Sequence, residues 1–206
     1  MKIAKLIQAA AVTALFASGA ASATVNIINN GDFEAYTVGV ANGTYTKVDA
    51  GSNAITGWTI GGVSVDLIKN SYGSVSGTSV DMLGTPGPGS LSQLFNYAAN
   101  TTYTLSFDVS RNPNGSYTAL SVDVNGIHNE YVGTSLATTQ SFSFTTGNTA
   151  GSQLLRFASV NGDGYSGAVL DNVTLTAAVP EPETYAMLLG GLGLIGFMAR
   201  RRKAAK

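Results

Sequence analysis

The stretch Thr101–Ser110, "TTYTLSFDVS", decides the fold. Tyr103, Leu105, Phe107 and Val109 fall on one side of it, and Thr102, Thr104, Ser106 and Asp108 on the other. Successive side chains of a strand point to opposite faces, so strict alternation of apolar and polar residues marks a strand with one buried face. "ALSVDV" (Ala119–Val124) repeats the pattern with Leu120, Val122 and Val124 inward, and "QSFSFTT" (Gln140–Thr146) with Phe142 and Phe144. Further strands are predicted at Val25–Ile28, Val63–Ile68, Ser79–Leu83, Leu91–Phe95, Gln153–Phe157 and Ala168–Thr176.

Between them lie "NGDFE", "NPNGS", "VNGIHN", "TGNTAG" and "NGDGYSG". Asn and Gly tolerate the positive φ of tight turns, so these read as strand connections. No part of this region keeps a helical apolar period for three turns. Many short strands with regular turn signals predict an all-β sandwich of jelly-roll type. "SVDLI" (Ser64–Ile68) and "SVDML" (Ser79–Leu83) form a two-copy repeat, read as neighbouring strands of one sheet. The chain has no cysteine, so its stability must come from the core or from bound metal.

The ends differ from this body. Residues 1–23 carry Lys2 and Lys5, an apolar run and Ala21-Ser22-Ala23, the parts of a secretory signal peptide. Residues 24–178 form the predicted β-sandwich domain and 179–206 a separate tail. Between Thr24 and Val179 only Lys47, Lys69, Arg111 and Arg156 oppose ten acids, a net charge of −6. Sequence-independent nucleic-acid binding needs clustered Lys and Arg, so nucleic acid is excluded as a partner.

In the tail, Pro180-Glu181-Pro182 precedes fifteen uncharged residues, 185–199, and then Arg200, Arg201, Arg202 and Lys203. As a helix the apolar run reaches about 22 Å, short of the ~30 Å hydrocarbon core. The glycines at 190, 191, 193 and 196 allow close helix approach. A terminal membrane anchor and a removable sorting signal with a short transmembrane segment both fit these properties.

The tail resembles the PEP-CTERM sorting signal of Gram-negative bacteria, in the order Pro-Glu-Pro, hydrophobic segment, basic stop. The resemblance implies processing by the transpeptidase exosortase, transient membrane contact through residues 185–199, and export through the inner membrane. It also implies a mature form ending near Pro180, at the surface or in the extracellular matrix of cells that make exopolysaccharide and biofilm. The body resembles the choice-of-anchor C domains, relatives of galactose-binding-like jelly rolls. The residues that carry this are "NNGDFE" (Asn29–Glu34), "ITGWTIGGVSVDLI" (Ile55–Ile68), "SVDMLG" (Ser79–Gly84), "LSQLF" (Leu91–Phe95), "TYTLSFDVSRNP" (Thr102–Pro113) and "VLDNVTL" (Val169–Leu175).

That resemblance implies a structural calcium held by Glu34 and Asp171, with Asp32 giving a carbonyl or carboxylate. Hard cations take six to eight oxygen ligands, and these residues meet if the terminal strands pair. The competing reading has Asp32 and Asp171 capping turns. "NGDGYSG" (Asn161–Gly167) lacks the spaced acids of a second calcium loop and reads as a turn.

Sugar sites stack aromatic rings on pyranose faces and set amides and carboxyls around hydroxyls. Tyr72, Tyr117, Tyr131 and Tyr165, with Arg111, Asn112 and Asn114, are candidates, and Trp58 in "ITGWTI" reads as core. His128, the single histidine, is expected in a turn. Without cysteine or a G-x-S-x-G motif, no nucleophilic machinery is evident. "TPGPGS" (Thr85–Ser90) reads as a rigid turn, and Gly61-Gly62 opens no helix that could bind phosphate. The expectation is a non-catalytic, adhesive or exopolysaccharide-associated glycan-binding protein. The alternatives are a secreted carbohydrate-active enzyme with unrecognised carboxylates and a purely structural matrix protein.

Overall fold

The computed structural model describes residues 25–161, 164–178, 188–197 and 200. Thr24–Ala178 forms one compact unit. Every residue of the hydrophobic core lies within it, so this segment carries what independent folding requires.

Eleven strands run through the unit: β1 (Tyr45–Asp49), β2 (Thr59–Gly62), β3 (Ser64–Lys69), β4 (Thr78–Asp81), β5 (Gly89–Tyr97), β6 (Thr102–Arg111), β7 (Ala119–Val124), β8 (Ile127–Val132), β9 (Thr138–Thr145), β10 (Gly151–Asn161) and β11 (Ala168–Ala177). They make a six-stranded sheet, β1-β3-β4-β11-β6-β9, and a five-stranded sheet, β2-β5-β10-β7-β8. All strand pairs are antiparallel, and the predicted jelly-roll sandwich is the fold.

The opening stretch is β6. Tyr103, Leu105, Phe107 and Val109 are buried, and Thr104, Ser106 and Asp108 face outward, half-exposed. Phe107 meets Phe157 of β10 edge-on at a centroid separation of 5.1 Å, and Tyr131 of β8 at the same distance. Trp58 joins this aromatic seam through Phe157 (6.2 Å) and Phe33 (5.5 Å), and its Nε1 donates to the Asn30 carbonyl. Trp58 is core, as expected.

Three strands lack a strong signal in the sequence. β2 is "TIGG", β1 has one buried residue, and β8 alternates between half-buried and exposed positions without a fully buried one. His128 consequently lies on β8 and not in a turn. The turn is Asn125-Gly126, with φ of 52° and 74°, a two-residue hairpin joining β7 to β8. The predicted strand Val25–Ile28 is not a strand. It runs beside β11 instead, where Ile27 N–H donates to the Leu175 carbonyl. The Asn26 side chain replaces the next ladder bonds, donating to the Val173 carbonyl and accepting from Leu175 N–H. Alongside this segment the register of β11 with β6 shifts between Asp171 and Thr174.

In the tail, residues 188–197 are helical, as is Arg200. Ten residues reach about 15 Å, and among the described residues no helix is long and apolar enough to cross a membrane. The expected transmembrane segment, residues 185–199, is described only over 188–197, and a membrane-crossing helix is not shown. The signal peptide, Pro180, Glu181, Pro182, Arg201, Arg202 and Lys203 lie outside the described residues.

Candidate functional site

The two-copy repeat builds the floor of a cleft. β3 and β4 pair so that Asp66 stands opposite Asp81, and Leu67 opposite Val80. Val65, Leu67 and Val80 point into the core, so both aspartates take the outer face of the six-stranded sheet. They are nonetheless buried, 3% and 1% exposed, because loops fold over them.

Each carboxylate anchors those loops. Asp66 accepts from Thr85 N–H (3.1 Å) and Thr85 Oγ1 (2.9 Å). Asp81 accepts from Leu83 N–H (3.0 Å), Gly167 N–H (2.9 Å) and Asn112 Nδ2 (2.8 Å). Burial pushes the Asp81 carboxyl up to about 7, against the lowering effect of its three donors, and the Asp66 charge adds to the rise. Burial also raises Asp66, opposed by the two Thr85 bonds and by Lys47.

Above this floor opens a cleft of about 480 Å³, within the ~300–1,000 Å³ of small-molecule sites. Tyr45, Tyr72 and Tyr165 supply aromatic walls, and Asn112 and Asn114 supply amides. Tyr45 and Tyr72 meet edge-to-face at 6.0 Å, while Tyr45 and Tyr165 are 44% and 59% exposed. Buried acceptors, amides and partly exposed tyrosines are the side-chain chemistry that sites for hydroxylated rings use.

Of the residues singled out from the sequence, Tyr72, Tyr165, Asn112 and Asn114 converge here. Tyr117, Tyr131 and Arg111 do not line the cleft. Tyr117 is exposed, Tyr131 packs on Phe107, and Arg111 has a buried Nε with no hydrogen-bond partner. Sequence reasoning missed Tyr45, Asp66 and Asp81. The repeated "SVD" carried the signal for the two aspartates, since equivalent positions on paired strands share a face.

The expected calcium ligands lie elsewhere. Asp171, wholly buried, accepts from Ser76 N–H, Ser76 Oγ and Ser79 Oγ through Oδ2, and from Asn172 N–H through Oδ1. Burial raises its carboxyl to about 6. Glu34 accepts from Thr78 N–H at 2.6 Å and, at 3.3 Å, from Thr78 Oγ1. Both carboxylates therefore grip the turn at residues 76–79. Gly77 there has φ +48°, and a Cβ on it would lie 1.8 Å from Glu34 Oε1. Asp32 is exposed and lines a separate hollow with Asn172. Among the described residues no group of three or more His, Cys, Asp or Glu is placed to hold a metal. Carboxylates and hydroxyls are the hard oxygen donors calcium takes, but here Glu34 is engaged by Thr78 and Asp171 by Ser76 and Ser79.

His128 belongs to a surface row on the five-stranded sheet. Its Nδ1 lies 2.6 Å from Asp123 Oδ1 and its Nε2 3.6 Å from Glu130, while Arg156 holds the other Asp123 oxygen at 3.3 Å. The bond to Asp123 raises the imidazole.

A loop-covered cleft on an antiparallel sandwich, followed in sequence by a tail with its own charge pattern, defines a two-module chain. Residues 26–176 match the family described as a protein of unknown function, DUF642, and the chain belongs to it. Residues 178–203 match the PEP-CTERM protein-sorting motif, which directs export and exosortase sorting to the surface or extracellular space. No curated protein matches the sequence. Among solved structures, the chain is similar to one titled "CBM4 structure and function", at 17% identity and a TM-score of 0.41 over 73% of this chain and 99% of that one. It is also similar to a family 35 carbohydrate binding module from Clostridium thermocellum, at 15% identity and 0.41 over 64% and 97%. A family 16 carbohydrate binding module gives 19% identity and 0.40 over 54% and 84%.

Proposed function

We propose that the body is a non-catalytic carbohydrate-binding module that takes polysaccharide into the cleft over β3 and β4. It acts at the surface or in the biofilm matrix of a Gram-negative bacterium, after exosortase removes the tail. The observation that carries this reading is the cleft itself: three tyrosines and two asparagine amides around an acceptor-rich floor. Binding would be non-covalent, with pyranose faces on the rings and hydroxyls donating to the floor.

Adhesion follows if several copies in the matrix hold one chain, since multivalency raises avidity without new contacts. A calcium ion held by Glu34 and Asp171 would brace the turn at 76–79, next to β4. Asp32 would join it only through a change in its present position.

A hydrolytic role has one observation in its favour, two carboxylates in one cleft. Asp81, however, already accepts from three donors and is almost sealed from solvent, an arrangement suited to holding loops rather than to passing protons. Calorimetry of Thr24–Ala178 against a panel of soluble oligosaccharides, with mass spectrometry of the same mixtures, tests the proposal. Saturable binding lost in Tyr165→Ala, without new products, is the expected result. Shortened oligosaccharides whose release stops in Asp66→Asn would overturn it in favour of hydrolysis, and absence of any binding would leave a structural matrix role.

A further inference from the structure

The carbohydrate-binding reading leaves open which sugars the cleft prefers, and the charge around it speaks to that. Among the described residues lining the cleft there are two carboxylates and no lysine or arginine. Lys47 stands opposite Asp66 on β1, and its charge favours the ionised Asp66 carboxyl. Its Nζ lies 3.1 Å from Asp49, on the same strand, where it is committed to an exposed pair.

Asp66 and Asp81 face each other across a strand pair on the floor of the cleft. A carboxylate gains more from a positively charged ligand group than from a neutral hydroxyl. Such a group also finds a favourable site on tyrosine faces, whose ring quadrupole attracts cations. Asp66 is the better partner of the two. Among the described residues its carboxylate accepts only from Thr85, one bond per oxygen, whereas Asp81 already holds three donors. A carboxylate oxygen has two acceptor sites, so each Asp66 oxygen retains one.

We infer that the cleft selects amino sugars, binding a protonated ring amine at Asp66 while Tyr45, Tyr72 and Tyr165 pack against the sugar rings. This rests on the carbohydrate-binding reading. The class of ligand is a hexosamine polymer with free amines, as opposed to its N-acetylated or neutral counterparts. A charge-assisted bond from ammonium to a buried carboxylate is roughly twice as strong as a neutral one, and acetylation removes both the charge and two donors.

The test is calorimetry at mildly acidic pH on Thr24–Ala178 with four probes: a glucosamine tetramer, its fully N-acetylated form, a cellulose tetramer and a lysine tetrapeptide. The expected result is at least a tenfold preference for the glucosamine tetramer over each of the others. That preference should fall to near unity in Asp66→Asn, and all sugar binding should weaken in Tyr165→Ala. Circular dichroism and a melting curve establish that each variant is folded. The comparison among probes on the unaltered protein does not depend on any variant.

Equal affinity for the three tetrasaccharides, abolished by Tyr165→Ala, overturns the amine preference and leaves carbohydrate binding standing. Lysine peptide bound as tightly as the amino sugar overturns it in favour of a basic protein partner. Binding to no sugar at all defeats both readings together. Preference unchanged in a folded Asp66→Asn protein refutes Asp66 as the recognition group.

Discussion

Raising the pH from 5 to 8 should destabilise this protein, and Asp81 is the main reason. Its carboxyl is 1% exposed and is held near 7 in the fold, against 3.8 in an unfolded chain. Between those values the folded state keeps a proton that the unfolded state releases. Stability therefore declines as pH rises through that window and levels off above about 7. A shift of some three units at 1.36 kcal/mol each sets an upper bound of about 4 kcal/mol. From pH 5 upward roughly two of those units remain, or about 2–3 kcal/mol. Burial raises Asp66 in the same direction.

Asp81→Asn separates this group from the rest. The amide oxygen can still accept from Leu83 and Gly167, but its NH₂ confronts Asn112 Nδ2, and turning Asn112 over disturbs the bond it accepts from Asn114. The exchange costs about 1 kcal/mol. The variant should thus be slightly less stable than the parent at pH 5 and more stable at pH 8. Urea unfolding of Thr24–Ala178 at several pH values, followed by the fluorescence of Trp58, measures both curves. A parent curve that is flat or rises between pH 5 and 7, or a variant curve parallel to it, refutes the reasoning.

Four further outcomes are expected. Phe107→Ala, which opens the aromatic seam between Phe157 and Tyr131, should cost about 3–5 kcal/mol in the same urea assay. Gly77→Ala places a methyl against the Glu34 carboxylate at a positive φ, and should lower stability by roughly 1–3 kcal/mol. Calcium added to the metal-free protein should raise its melting temperature, and Glu34→Ala should abolish that rise; no rise in the parent refutes the calcium site. Intact mass of protein recovered from cell surfaces should lack residues 185–206, and a mass that includes them favours a retained anchor.

The sandwich was legible wherever one face of a strand is buried, because burial writes a period of two into the sequence. β6 and β7 are the clearest cases. β1 and β8 escaped because they are the outermost strands of their sheets and have neighbours on one side only, so few of their side chains are enclosed. β2, also outermost, is short and half glycine. Tyr72, Tyr165, Asn112 and Asn114 could be named because tyrosines and asparagines in loops are conspicuous. Their convergence could not, since it depends on which loops fold over the six-stranded sheet. The separation of Asp32 from Glu34 is of the same kind. Two residues apart in sequence, they part company because the chain turns at Phe33, whose φ is +53° and whose ring is fully buried.

The energetics of Asp66 and Asp81 bear on why the cleft has this floor. Two leucines in their place would remove the cost of burying two carboxyls. Leucine accepts no hydrogen bond, however. Thr85 would lose its anchor on Asp66, and the backbone at Gly167 and the Asn112 amide would lose theirs on Asp81. Those are the segments that bring Asn112, Asn114 and Tyr165 to the cleft wall. The carboxylates thus order the loops from below, and Asp66 retains an acceptor site on each oxygen. A site assembled this way is rigid before its ligand arrives, which lowers the ordering cost of binding. It also couples the cleft to pH: protonating Asp81 exchanges an ionised anchor for a neutral one beneath the wall that carries Tyr165. If the cleft binds sugar as proposed, affinity and stability should change across the same interval of pH, and the Asp81→Asn protein should lose much of both dependences together.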